Sequence, residues 1–177
     1  CKFDLTILSK GGNILREKTY TFKGGIHPPD YKEFTAKKEI ITAKEPLAVI
    51  IPMQQHIGAP CKPIVKVGDK VKIGQRIGEP QGFVSVPIHS SIAGIVKKIY
   101  EAYSPTSKTT CIRIEADGSN EVYEGIRPKG DINQLSGEEI KDIIKDAGIT
   151  GLGGAGFPTH VKLSPPSEKE IDTVIIN

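Results

Sequence analysis

Apolar and polar positions alternate from the first residues, with Phe3, Leu5 and Ile7 on one parity before a Gly11-Gly12-Asn13 turn. That alternation predicts a hairpin over residues 1–22. "KGGIHPPDYKE" follows as a Gly- and Pro-rich connector. From residue 40 to 116 the apolar positions recur mostly at period two: Val49 to Ile51, Val65 and Val67, Val71 and Ile73, Val84, Val86 and Ile88, Ile112 and Ile114. Gly58, Gly68-Asp69, Gly74, Gly82 and Gly94 punctuate these runs, and Asp117-Gly118 closes the last. Short strands separated by glycine turns, with no helical stretch between them, predict a small all-β barrel or sandwich.

The period changes near residue 130. In "LSGEEIKDIIKDAG", Ser136 and Glu139 have the spacing of a capping box, Ile140, Ile143 and Ile144 share one face, and Gly148 falls where a helix C′ residue belongs. "GLGGAGFPTHVKL" comes next, then the breaker "SPPSEKE", then "IDTVIIN", which reads as a buried strand. The expected class is α+β, in three segments. A hairpin and connector occupy 1–39, a β module 40–118, and the start of an α/β domain 130–177.

Composition narrows the function classes. Hydrophobic residues are 37% and charged residues 25% of 177 positions, as in a water-soluble globular fold. The net charge of +3 is modest and spread along the chain. Lys37-Lys38 and Lys97-Lys98 therefore read as solvated faces, and no nucleic-acid partner is expected. No apolar run reaches the roughly 18 residues of a membrane span. Cys1, Cys61 and Cys111 stand far apart with no C-x-x-C, and His27 has no second ligand beside it, so no metal site is expected. Sparse, unpaired cysteines fit a reducing compartment. A start at Cys1 and an end within "DTVIIN" lead us to expect an N-terminal fragment of a longer chain.

The glycine loop is the strongest chemical signal. Gly151-Leu-Gly153-Gly-Ala-Gly156 satisfies G-x-G-x-x-G, but a helix precedes it where a dinucleotide fingerprint needs a strand, and no P-loop motif exists. A plain turn needs one or two glycines, and five between 148 and 156 cost about 0.5–1 kcal/mol each. The remaining reading is a site for an anion and a ring. Backbone N–H groups cradle a phosphate, Lys162 adds a charge, Phe157 offers a flat apolar face, and Pro158 stiffens the exit.

Two resemblances sharpen this. "VKVGDKVKIGQRIGEPQGFVSVPIHSSIAGIVKKIY" resembles the biotinyl/lipoyl-type barrel-sandwich hybrid, with Gly68-Asp69 and Ala93-Gly94 as the turns of its two similar halves. The carrier lysine of that family belongs in the hairpin tip, here "EPQGFVSVP", which has none. Lys70 and Lys72 lie in the wrong turn and strand, so we expect the fold without the swinging arm. "GLGGAGFPTHVKL" resembles the flavin- and NADH-binding loop of the 51 kDa-type NADH-binding subunit of complex I. Together with "GGIHPP" and "IPMQQHIGAPCKPIVKVGD", it makes the chain from about Phe22 to Asn177 similar to the N-terminal part of the C-component family of the Rnf electron transport complex.

That resemblance implies an oxidoreductase subunit that binds FMN non-covalently, exchanges hydride with NAD(H) and passes electrons to two [4Fe-4S] clusters held further along the chain. It implies partner subunits on the cytoplasmic side of the membrane and coupling of ferredoxin:NAD+ electron transfer to Na+ or H+ translocation. The backbone of Gly151, Gly153, Gly154, Ala155 and Gly156, with Lys162, would address the FMN phosphate. Phe157 would face the dinucleotide, Pro158 and Thr159 would complete the loop, and Asn177 would end the following strand beside the flavin. No catalytic side chain is expected within these residues, and on its own the piece should be inactive and bind FMN weakly. The competing reading is a scaffold or docking module without bound cofactor.

Overall fold

The computed structural model describes residues 6–8, 14–16, 24, 29–103 and 108–176. Phe3, Leu5, the Gly11-Gly12-Asn13 turn, His27, Cys1 and Asn177 lie outside the described residues. The chain divides into two compact units, Lys44–Pro165 and Cys1–Ala43 with Pro166–Asn177.

In the second of these, β1 (Thr6–Leu8) pairs antiparallel with β2 (Ile14–Arg16), placing Ile7 opposite Leu15. The expected hairpin strands are therefore present. The last strand, β10 (Val174–Ile176), is also antiparallel to β1, with Ile175 opposite Ile7. The sheet order is β10-β1-β2, so the final apolar run finds its partner at the opposite end of the sequence.

The Lys44–Pro165 unit is built on two antiparallel sheets. One has the order β3-β9-β8-β5, from β3 (Ala48–Pro52), β5 (Lys70–Val71), β8 (Gly94–Tyr103) and β9 (Lys108–Ala116). The other has the order β4-β6-β7, from β4 (Lys62–Pro63), β6 (Arg76–Glu79) and β7 (Ile88–His89). Inward residues from both sheets, including Ile51, Met53, Val71, Ile77, Ile88, Val96, Ile112 and Ile114, form one buried cluster. This is the barrel-sandwich hybrid. No helix falls between residues 40 and 103, as the period-two pattern predicts.

Three local details depart from the pattern, the first being that Val84 and Val86 form no strand, since β7 begins only at Ile88. Val65 and Val67 form no strand, because the Asp69 carboxylate accepts from the Lys66 N–H at 2.9 Å and folds the segment into a turn. Val67 is left exposed. The β8–β9 hairpin is far longer than its neighbours, at 10 and 9 residues, because its outer half carries polar residues that need no second sheet to cover them.

Lys70 and Lys72 have a structural use. Lys70 pairs with Asp117 at 3.3 Å and Glu121 at 3.2 Å, and Lys72 pairs with Glu121 and Glu124. With the Ile73–Val122 bridge, they bind the strap after β9 to β5. Exposed pairs of this kind are worth little singly.

Asp117 also accepts from the Ser119 hydroxyl at 2.7 Å and its N–H at 3.0 Å. These bonds, with Lys70, hold its pKa down at about 2, below the ordinary 3.8. A depressed carboxylate stabilises the fold above its unfolded pKa, and that contribution is lost as pH falls through the folded value. Wild-type protein should therefore lose urea resistance between about pH 4 and 2 more steeply than Asp117→Asn. Parallel slopes in urea titrations across that range would remove Asp117 from the account.

α1 (Gly137–Asp146) starts at the expected capping box, with the Glu139 N–H donating to Ser136 Oγ and the Ser136 N–H to the Glu139 carboxylate. It ends in a Schellman turn at Gly148, whose N–H reaches the Lys145 C=O at 2.9 Å while the Ile149 N–H reaches Ile144 at 3.2 Å. A short helix, α2 (Thr159–Lys162), follows the glycine loop.

Candidate functional site

The glycine loop is a closed hairpin seated on the barrel. Thr150 bridges Pro158, the Gly151 N–H donates to the Phe157 C=O at 2.8 Å, and the Thr159 N–H donates to Ile149 at 3.0 Å. Pro158 is fully buried at the closure, where its fixed φ holds the segment leading into α2. Gly151, Gly153, Gly154, Ala155, Gly156, Phe157, Pro158, Thr159 and Lys162 thus lie on one loop and the helix that leaves it.

The glycines divide by what surrounds them. Gly156 has φ +58, and a Cβ there would lie 2.8 Å from the Gln55 carbonyl and 3.1 Å from His56 Cα. Beside it the Ile57 N–H donates to the Ala155 C=O at 2.9 Å. This side of the loop is pressed against the segment between β3 and β4. Gly153 and Gly154 face open space, Gly154 with φ +88. Leu152, between the first glycines, is fully exposed. At Gly151 the missing Cβ makes room for the Lys162 ammonium group. A cation therefore stands at the loop entrance, at Gly151, on the same loop as two glycines whose side-chain positions are open.

Beneath the loop lies a buried polar cluster. His56 Nδ1 donates to the Ile57 C=O at 2.9 Å, and its Nε2 accepts the Val86 N–H at 3.3 Å; this tautomer satisfies both ring nitrogens. The Cys61 thiol donates to the Val86 C=O at 3.0 Å, 3.9 Å from His56 Nε2. Burial pushes that thiol pKa up, the Ser85 hydroxyl opposes the shift, and Glu79 adds to it, so the sulfur stays protonated near neutral pH. The cluster is a scaffold, with no nucleophile poised in it.

The hairpin tip without a lysine has a second use. Phe83 sits there, its C=O accepting from His160 Nε2 at 3.0 Å and its ring meeting the imidazole edge-on at 5.7 Å. His160 is buried, with no partner for Nδ1 among the described residues. The tip is thereby fastened to α2. His56 and His160 were missed as site-building residues at the sequence level. Each is a lone histidine whose Nε2 bonds a main-chain group far along the chain, at Val86 for His56 and at Phe83 for His160, which leaves no local pattern.

Comparison with known proteins meets this geometry. Residues 20–119 match the RnfC barrel sandwich hybrid domain, which is more than half of the chain. The chain belongs to the RnfC family. Residues 144–177, which contain the glycine loop, match the Nuo51 FMN-binding domain. The chain is 50% identical over 158 residues to the C component of the Na(+)-translocating ferredoxin:NAD(+) oxidoreductase complex of Acetobacterium woodii, covering 89% of this chain and 36% of that protein. It is 47% identical to the proton-translocating counterpart of Clostridium ljungdahlii, covering 89% and 35%. To the C component of the ion-translocating oxidoreductase complex of Vibrio cholerae it is 38% identical, covering 97% and 22%. The chain thus spans about a third or less of the length of these RnfC relatives.

A phosphate site needs room for close approach and a nearby cation; Gly153 and Gly154 have open side-chain positions, and Lys162 stands at Gly151. Among the described residues, no three His, Cys, Asp or Glu side chains are placed to hold a metal ion. Among the same residues, no helix is long and apolar enough to cross a membrane.

Proposed function

We propose that this RnfC chain supplies the phosphate-binding face of an FMN site, within a subunit that exchanges electrons between NAD(H), FMN and iron–sulfur clusters. One observation carries the reading: a side chain at Gly153 or Gly154 would meet open space, and the Lys162 ammonium stands at Gly151 of the same loop, in the segment that matches an FMN-binding domain. FMN, when bound, supplies a ring that accepts electrons in pairs and releases them singly. The chain's own part is to hold and orient. The amides at 153 and 154 donate to the phosphate, Lys162 neutralises it, and Phe157 borders the dinucleotide. We assign the [4Fe-4S] clusters to parts of the whole subunit outside these residues.

The relatives' names support a wider reading. The subunit works in a membrane-bound complex that couples ferredoxin:NAD+ electron transfer to ion translocation, held on the cytoplasmic side by its partner subunits. Titrating FMN into the full-length subunit, followed by flavin fluorescence, tests the site. Lys162→Ala should weaken binding about ten- to hundredfold, the worth of one charge-assisted phosphate bond at roughly 1.5–3 kcal/mol. The loss should shrink as salt is raised. An unchanged affinity would place the phosphate elsewhere.

A further inference from the structure

α2 is a single turn, Thr159–Lys162, and no side chain caps it. One turn has no stability of its own, so contacts outside the helix must fix its rotation. His160 is the one buried residue of α2. Its Nε2 bonds the Phe83 C=O at 3.0 Å. A carbonyl only accepts, so Nε2 carries the proton and the neutral ring leaves Nδ1 as a bare acceptor. That nitrogen is buried and has no partner among the described residues. An apolar side chain of similar size would fill the same space without stranding a polar atom. What the imidazole adds is direction, because a hydrogen bond fixes an angle that apolar contact leaves free.

The acceptor is itself held to the barrel. Just beyond Phe83, the Ser85 hydroxyl donates to the Ala59 C=O at 3.0 Å, and the Val86 N–H donates to His56 Nε2 at 3.3 Å. Ser85 Oγ also accepts the Gln81 N–H at 3.3 Å, which closes the tip on its near side. The Phe83 carbonyl is therefore a fixed reference point for α2.

Lys162 leaves the opposite side of the same turn. Two residues along a helix amount to a rotation of about 200°, so a bond that fixes His160 also fixes the direction of Lys162. Lys162 is exposed, and among the described residues no ion pair or side-chain hydrogen bond holds its ammonium group. Its seat at Gly151 is then set by the backbone of α2.

We propose that His160 is a positioning residue for the phosphate contact. By bonding the Phe83 carbonyl it sets the rotation of α2 and, through it, the seat of the Lys162 ammonium at Gly151. The barrel hairpin thereby becomes a working part of the binding site. The inference rests on reading the glycine loop as a flavin phosphate site.

The test titrates FMN into the full-length subunit, followed by flavin fluorescence, with thermal unfolding to establish that each variant is folded. His160→Leu fills the space without a donor and should weaken FMN binding about tenfold, the scale of a displaced contact group. His160→Gln carries an amide N–H to nearly the place of Nε2 and should restore most of that loss. His160→Asn, one methylene shorter, cannot reach the carbonyl and should match His160→Leu. In a Lys162→Ala background His160→Leu should cause no further loss, since a residue that acts through Lys162 has nothing left to place. Should His160→Leu not fold, His160→Asn takes its place in this cycle. Wild-type affinity in His160→Leu, no recovery in His160→Gln, or a loss of equal size with and without Lys162 would each overturn the proposal and leave the phosphate reading standing. If Lys162→Ala itself binds FMN like wild type, both fall together.

Discussion

Full-length protein carrying Gly156→Val should bind FMN at least about a hundredfold more weakly than wild type and unfold at a lower urea concentration. The two losses share one cause. A β-branched residue at φ +58 is strained, and its Cβ would press on the Gln55 carbonyl and His56. Left-handed backbone and overpacking together cost about 2–4 kcal/mol. The loop can escape only by lifting off the barrel, which breaks the bond from the Ile57 N–H to the Ala155 C=O. Loss of about 3 kcal/mol of seating, at 1.4 kcal/mol per tenfold, gives the affinity change. Urea unfolding and an FMN titration on the same preparation measure both. A variant of normal stability and normal affinity would show that the contact with residues 55–57 holds nothing in place.

Gly154→Val should match that affinity loss and separate the two effects. The Gly154 Cβ position meets no atom within 4 Å, so a side chain there presses on nothing in the fold. It would stand where a phosphate must approach, and would cost the N–H contacts at 153 and 154, each worth about 1.5–3 kcal/mol to a charged acceptor. Affinity should fall at least about a hundredfold. Stability should fall by no more than the roughly 1–2 kcal/mol of a valine at positive φ, less if the exposed loop relaxes. Tight FMN binding by this variant would mean that the open face of the loop serves no anion.

That pair of glycines marks where sequence reasoning stops. Both belong to the same run, and the run says only that side chains are unwelcome. At Gly156 the obstacle is Gln55 and His56, far back in the chain; at Gly154 nothing in the fold obstructs, and a string of letters gives both the same symbol. The barrel was more legible. Alternating valines and isoleucines report which face is inward, and the capping box at Ser136 and the Gly148 stop are set by local backbone chemistry alone. Val65 and Val67 alternate correctly yet form no strand, since the Asp69 turn decides the backbone there. Periodicity reports burial without naming the partner. The antiparallel pairing of Val174–Ile176 with the N-terminal hairpin was therefore hidden, as was the fastening of Phe83 to His160.

The same fastening orders events in time. His160 and Phe83 stand 77 residues apart, and the loop's other anchor, at Ile57, is still more distant. Closing spans of this length is entropically costly until the intervening chain is compact. The sheets of the barrel must therefore assemble first, and the glycine loop takes its shape afterwards, by settling onto a surface already made. During synthesis the chain meets that requirement without delay, because every strand of the barrel precedes the loop. Slow or faulty assembly of the barrel would be expressed first as a loop with no shape to offer.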